Sequence, residues 1–151
     1  MFKAVVFDLG NTLIEEGSGS LLPFTVSVLG ELKKKYKLGL ITNTLPETKK
    51  ENIMKLLCEA GIGEYFDQIL VSSELGFGKP DPRIFHLMLN MLDVKPEESV
   101  MIGNTISTDI FGGNRIGMQT ILVQPEDEYN RSEWERPNHV IKSLNEISFI
   151  L

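Results

Sequence analysis

Five short apolar runs recur along the chain, each bounded by polar residues or glycine. They are residues 3–7 (KAVVF), 38–42 (LGLIT), 67–71 (DQILV), 99–102 (SVMI) and 119–123 (QTILV). Their length and their content of β-branched residues predict strands. Because most of these runs are continuously apolar rather than alternating, they are typical of a parallel sheet that is covered on both faces.

Amphipathic stretches with helical spacing separate the predicted strands, near residues 21–36, 47–60, 82–92 and 107–116. Asp81 followed by Pro82 is a typical helix start, and Gly61 is a typical helix stop. Alternating strands and helices with right-handed crossovers predict a doubly wound, mainly parallel α/β sheet in three layers.

The remaining segments carry weaker signals. Residues 124–138 are predicted to form a polar surface loop with a short helical piece, pinned to the core by Trp134. The final stretch, 139–151, predicts a short strand and a helix capped by Ser143. Cys58 lies in a helical pattern and is interpreted as a small buried apolar residue.

Length and composition narrow the class of protein. A chain of 151 residues with 42% apolar and 24% charged residues predicts one globular domain, residues 1–151. A formal net charge of −6 argues against a nucleic-acid partner, and the absence of a long apolar run argues against a membrane span. The N-terminus resembles no secretion signal, so we expect a cytoplasmic protein.

Polar residues follow four predicted strands at the point where each strand ends. Asp8 follows the first, Thr42 and Asn43 end the second, Lys79 follows the third, and Asn104 and Asp109 follow the fourth. Each has an ordinary structural explanation when taken alone, as a turn, cap or surface residue. However, the carboxyl ends of parallel strands meet at one edge of a sheet, where ligands bind. Their joint placement therefore predicts a site.

This set of residues suits phosphoryl transfer. An anionic nucleophile is repelled by a phosphate by about 4 kcal/mol per pair of unit charges at about 4 Å and an effective dielectric constant of about 20. Lys79 supplies one compensating charge, and Mg²⁺ held by hard oxygen ligands such as Asp8 and Asp109 would supply two more. Asp8 is then the candidate nucleophile, and Thr42 a donor to phosphate oxygens.

Four motifs in this order resemble the haloacid dehalogenase-like (HAD) superfamily. They are VVFDLGNTL, LITNT, GFGKPDPRIF and SVMIGNTISTDIFGGNRIGMQTILV, which together span most of the chain. The resemblance implies a Rossmann-like α/β/α core with Asp8 and Lys79 as catalytic residues. It implies that Thr42, Asn43 and Lys79 bind the phosphoryl group and that Mg²⁺ lies at Asp8, Gly10, Asn104 and Asp109.

Two positions depart from the pattern of the family's phosphatases. Gly10 stands where a second aspartate usually acts as general acid and base, and Asn104 replaces a metal-binding aspartate. Loss of general acid–base catalysis typically costs about 10²- to 10⁴-fold in rate. An amide oxygen can still bind Mg²⁺, but with one negative charge fewer. Both changes predict weakened phosphatase chemistry.

The spacing between motifs predicts an open site without a cap domain. The intervals 12–38 and 43–79 have room for little more than a flap, residues 14–20, and single helices. An open site favours bulky or macromolecular phosphorylated substrates, unless Leu21, Leu22 and Phe24 cover a neighbouring site in a homo-oligomer. Within the flap, Glu15 and Glu16 are interpreted as solvated surface acids.

Three functions follow, in order of preference. The first is a slow Mg²⁺-dependent phosphatase that forms an aspartyl-phosphate on Asp8. The second is a noncatalytic protein that binds a phosphorylated ligand or a protein partner, because Gly10 and Asn104 both weaken the chemistry. The third is a metal-independent 2-haloacid dehalogenase, a reaction for which an open site is poorly suited.

Overall fold

The computed structural model describes residues 1–123 and 132–151, which contain a six-stranded parallel sheet. The strands are β1 (Ala4–Phe7), β2 (Lys37–Thr42), β3 (Gln68–Val71), β4 (Ser99–Gly103), β5 (Gln119–Val123) and β6 (His139–Ile141). Their order across the sheet is β3-β2-β1-β4-β5-β6, and each neighbouring pair is parallel. The predicted doubly wound α/β fold is confirmed.

The α-helices are α1 (Thr25–Lys33), α2 (Lys50–Ala60), α3 (Ser72–Leu75), α4 (Pro82–Leu92) and α5 (Phe111–Ile116). Both α4 and β5 have the predicted bounds, and Asp81 caps α4 by accepting a hydrogen bond from the Arg83 backbone N–H at 2.9 Å. Helix α1 begins later than predicted because Leu21 pairs with Ile14 beside the flap. The short helix α3 was not predicted.

Alternating residues of the central strand belong to two different cores. Val5 and Phe7 lie in the larger core, which packs under α1, α2 and the C-terminal 3₁₀ helix, Leu144–Phe149. Ala4 and Val6 lie in the second core, under α4. Since β1 is buried on both faces, polar side chains are accommodated at its end rather than along it.

The prediction that Trp134 pins the segment 124–138 to the core is wrong. Residues 124–131 lie outside the described part of the chain, and the predicted helical piece corresponds to a 3₁₀ turn at Glu133–Glu135. Trp134 is not a core anchor, because it is 43% exposed. The turn is instead held by Asn114, whose side-chain Nδ2 donates to the backbone carbonyls of Trp134 and Arg136, each at 2.8 Å.

The prediction for Cys58 is also wrong, because its side chain is exposed. Helix α2 buries Ile53 and Leu57, which are four residues apart and share one face. Cys58 follows Leu57 directly and is rotated from it by about 100° around the helix axis. Its apolar neighbours in sequence therefore do not bring it to the core.

Both intervals between the first three strands are fully described and contain no inserted domain. The chain from β1 to β2 consists of the flap region and α1, and the chain from β2 to β3 consists of α2 and a 3₁₀ turn at Gly63–Tyr65. Across residues 1–123 and 132–151, no helix has both the length and the apolar content that a membrane span requires.

Two glycines in helices test the packing, because alanine at one should lower the free energy of unfolding and alanine at the other should raise it. A methyl group at Gly112 would overlap the Phe85 ring, whereas one at Gly30 would have Tyr65 Cε1 as its nearest neighbour, at 4.0 Å. We expect Gly112→Ala to lower the free energy of unfolding by about 1–3 kcal/mol. Gly30→Ala should raise it by about 0.5–1 kcal/mol. Urea denaturation measures both, and shifts of the same sign would contradict this description of the core.

Candidate active site

The site begins where β1 ends, at the centre of the sheet. β1 lies between β2 and β4, which is the point where the strand order reverses. Asp8 follows β1 directly, and its backbone N–H donates to the Ile102 carbonyl at 2.9 Å. This hydrogen bond continues the β1–β4 pairing by one residue, so it fixes the Asp8 backbone at the crevice where open α/β sheets bind ligands.

Lys79 joins two carboxylates at this edge of the sheet. Its Nζ lies 2.8 Å from Asp8 Oδ1 and 2.6 Å from Asp109 Oδ1. The side chains of Lys79 and Asp109 are 2% and 1% exposed, whereas Asp8 keeps 13% of its side chain exposed. The structure thus brings together three residues predicted from sequence, and only Asp8 among them reaches toward solvent.

The charges in this cluster support one another. Burial lowers the pKa of the Lys79 ammonium, but the carboxylates of Asp109 and Asp8 outweigh burial and leave that pKa above its ordinary value. Burial raises the pKa of Asp109 to about 6, while the Lys79 ammonium acts in the opposite direction. Lys79 is therefore cationic at neutral pH, and two carboxylates with one ammonium give the cluster a net negative charge.

Asp109 is placed by the backbone around it. It lies in a wide, π-type turn, Ile106–Ile110, and its Oδ2 accepts from the Thr105 backbone N–H at 3.2 Å. A Cβ atom at Gly103 would overlap the Asp109 side chain, so glycine is required at the end of β4. Both Asp109 oxygens are thus engaged by the protein, one by Lys79 and one by Thr105.

Asn43 positions the loop that carries Lys79. Its Oδ1 accepts from the Lys79 backbone N–H and its Nδ2 donates to the Lys79 carbonyl, both at 2.9 Å. A Cβ atom at Gly78 would lie 2.6 Å from Asn43 Oδ1, so only glycine allows this approach. The side-chain amide that the sequence assigned to substrate binding therefore holds Lys79 in place.

Thr12 is a site residue that the sequence reasoning missed. It is fully buried, and its hydroxyl donates to Asp8 Oδ2 at 3.1 Å. Since Lys79 holds the other oxygen, both oxygens of Asp8 are oriented. The sequence does contain a sign of it, because Thr12 carries a hydroxyl group only four residues after the aspartate that ends the strand.

An open cavity of about 240 Å³ lies above Asp8. Most of the predicted site residues line it: Asp8, Gly10, Thr42, Asn43, Lys79 and Asn104. The other lining residues are Asn11, Glu16, Thr105 and Thr108. Asp109 does not line it. Glu16 is exposed, in agreement with its interpretation as a solvated acid, but it also lines this cavity, which the sequence did not indicate.

The oxygen atoms around the cavity fit Mg²⁺. The Asp8 carboxylate, the Asn104 amide oxygen and the Gly10 carbonyl are hard ligands, and Mg²⁺ commonly uses one or two carboxylates plus water and substrate phosphate. The described residues contain no group of three or more His, Cys, Asp or Glu side chains arranged to hold a metal alone. Asp109 does not line the cavity, so it would act on the metal through its charge.

Comparison with known proteins identifies the family. Residues 11–123 match the family described as haloacid dehalogenase-like hydrolase. The chain therefore belongs to the haloacid dehalogenase-like hydrolases, and the resemblance drawn from the four motifs is confirmed.

Relatives within this family include named phosphatases. The chain is 39% identical over 128 residues to the glyceraldehyde 3-phosphate phosphatase of Methanothermobacter thermautotrophicus, covering 83% of this chain and 55% of the relative. It is 34% identical over 112 residues to the phosphoserine phosphatase of Thermus thermophilus, covering 71% and 43%. This chain thus spans about half the length of these curated relatives.

A crystal structure of a related protein has the same fold. It is YfnB from Bacillus subtilis, described as a HAD-hydrolase bound to magnesium, in which interdomain movement is seen. It superimposes with a TM-score of 0.79 at 26% identity, covering 88% of this chain and 57% of that one.

The Asn43 bridge predicts a local effect on the Lys79 loop. Asn43→Ala removes both hydrogen bonds to Lys79, so we expect a loss of about 1–3 kcal/mol in the free energy of unfolding and faster hydrogen exchange of the Lys79 amide. Asn90→Ala is the matched control, because Asn90 is exposed on α4 and makes no side-chain hydrogen bond within the described residues. Unchanged exchange at Lys79 in Asn43→Ala would show that the bridge does not hold this loop.

Proposed function

We propose that the protein is a Mg²⁺-dependent phosphatase in which Asp8 is the nucleophile and forms an aspartyl-phosphate. The observation that carries this proposal is the Asp8 carboxylate at the bottom of an open cavity, with one oxygen bonded to the buried Lys79 ammonium and the other to Thr12. A carboxylate held in this way has a fixed direction of attack, and that orientation favours reaction with a bound phosphate ester.

Lys79 offsets part of the charge repulsion in this reaction. Asp8 and the incoming phosphate repel each other, and at close range this repulsion is worth several kcal/mol. The ammonium lies 2.8 Å from Asp8 and is anchored from behind by Asp109. It can therefore neutralise charge on the transferred group without leaving its place.

Donors around the cavity would hold the phosphoryl group. Thr42 ends β2 and lines the cavity, so its hydroxyl can donate to a phosphate oxygen. The Asn43 side chain is engaged by Lys79, so its contribution to binding would come from the main chain. Thr42 would thus bind the phosphoryl group with its side chain, and Asn43 with its main chain, while the Asn43 side chain holds the Lys79 loop.

Mg²⁺ held by Asp8, Gly10 and Asn104, with Asp109 acting through its charge, would supply further positive charge to the phosphate oxygens. The magnesium bound to YfnB supports this choice of metal. The phosphatase relatives support a phosphorylated small molecule as substrate. Because Gly10 has no side chain, turnover would be slow on esters with poor leaving groups unless another residue supplies the proton.

Hydrolysis of p-nitrophenyl phosphate tests the proposal, since its leaving group needs little protonation. We expect Mg²⁺-dependent turnover by the wild-type protein and loss to background in Asp8→Asn, because an amide is a poor nucleophile. Asp93→Asn is the matched control with the same change of charge. Asp93 ends α4 with φ 56°, a conformation that asparagine tolerates well. It lies just before the segment that leads into the start of β4, at the edge of the sheet opposite to Asp8.

Equal background rates for wild type and Asp8→Asn, with and without Mg²⁺, would overturn the proposal. The noncatalytic alternative would then be favoured, and binding of inorganic phosphate, measured by calorimetry, would be the direct test of it.

A further inference from the structure

The geometry points to Glu16 as the general acid and base of this site, in place of the side chain that Gly10 lacks. This inference rests on the proposed phosphatase function and assigns a residue to its proton transfers. Glu16 belongs to the flap, six residues after Gly10 in sequence, and nothing in the spacing of the motifs indicates it.

The Glu16 side chain lies beside Gly10. A Cβ atom built on Gly10 would lie 3.2 Å from Glu16 Oε1, 3.4 Å from its Cγ and 3.5 Å from its Cδ. The Glu16 carboxyl group thus lies in contact with the place where a side chain at position 10 would begin. Glu16 also lines the same cavity as Asp8 and Thr42. A carboxyl group is therefore present beside the nucleophile although residue 10 does not provide it.

Two hydrogen bonds to Asn11 hold Glu16 in place. Asn11 Nδ2 donates to Glu16 Oε2 at 3.2 Å, and the Glu16 backbone N–H donates to Asn11 Oδ1 at 3.0 Å. Asn11 has φ 58°, a left-handed conformation that asparagine adopts more readily than most residues. Within the described residues Glu16 Oε1 makes no hydrogen bond, so one oxygen is fixed and the other is available for proton transfer.

The flap itself is anchored to the rest of the chain. Ile14 forms bridges with Gly10 and Leu21, and the Glu15 backbone N–H donates to the Ser20 carbonyl at 2.7 Å. Leu13 and Ile14 are 0% and 5% exposed. The segment that carries Glu16 is therefore tied to the core immediately before it, and its position does not depend on a bound ligand.

The positions of Asp8 and Glu16 suit the two ends of an in-line displacement. Asp8 lies at the end of the buried strand, whereas Glu16 belongs to the exposed flap and lines the same cavity. In-line attack by Asp8 directs the leaving oxygen away from the end of β1. Among the described residues that line the cavity, Glu16 carries the only carboxyl group besides Asp8.

The proton transfers balance over two steps. In the first, Asp8 forms a bond to phosphorus, the bond from phosphorus to the ester oxygen breaks, and protonated Glu16 gives its proton to that oxygen, releasing an alcohol. In the second, the Glu16 carboxylate takes a proton from water as the water oxygen attacks phosphorus. The bond from phosphorus to the Asp8 oxygen breaks, inorganic phosphate leaves, and the Asp8 carboxylate and protonated Glu16 are regenerated.

The test compares two substrates whose leaving groups differ in their need for a proton. Glu16→Gln should lower the turnover of phenyl phosphate by about 10²- to 10⁴-fold and that of p-nitrophenyl phosphate far less. Glu15→Gln is the matched control with the same change of charge, because Glu15 is exposed and does not line the Asp8 cavity. Circular dichroism and urea denaturation establish that both variants are folded.

A second variant provides a rescue. In the Glu16→Gln protein, Gly10→Asp should restore part of the phenyl phosphate activity. In the wild-type protein the same substitution should give little gain, since the new side chain would compete with Glu16 for one space.

Equal loss on both substrates, or no loss on either, would overturn the role of Glu16 while leaving the phosphatase proposal in place, provided that turnover still depends on Asp8. Absence of any Asp8-dependent turnover would instead overturn the proposed function and this inference together. The two failures are therefore distinguished by the Asp8→Asn rates measured alongside.

Discussion

The site depends on one buried ammonium group and the two carboxylates that hold it. Lys79 is almost fully enclosed, and a cation in that position is tolerated only because Asp8 and Asp109 contact it from two sides. Removing one partner from such a group typically costs about 3–5 kcal/mol. This requirement fixes the segments after β1, β3 and β4 relative to one another, so the residues that would do chemistry are also the residues that join the strand ends.

The same requirement explains why two glycines lie in the motifs. Gly103 must lack a side chain for Asp109 to lie against the end of β4, and Gly78 must lack one for Asn43 to reach the Lys79 backbone. Neither glycine lines the cavity above Asp8. They are part of the site because the ion cluster can form only if the backbone at Gly103 and Gly78 approaches the side chains of Asp109 and Asn43 closely.

The sequence was sufficient for the sheet, for α4 and for the placement of Asp8, Thr42 and Lys79, because continuous apolar runs and strand-end polarity are local signals. It was insufficient where a side chain's position depends on distant packing. Trp134 and Cys58 were assigned to the core from hydrophobicity alone, although one lies on a turn held by Asn114 and the other on the outer side of α2. The sequence predicts Glu16 as a surface acid, because the spacing of the motifs does not indicate that the flap folds back toward Gly10.

The flap lies outside the six strands, and Ile14, at its start, ties it to Gly10 and Leu21. Ile14 is buried in the larger core, whereas Glu15, Ser18 and Ser20 are exposed. Substitutions at these three exposed positions would leave the register of the strands and the buried ion cluster unchanged. The outer surface of the flap can therefore vary in sequence at little cost to the stability of the fold.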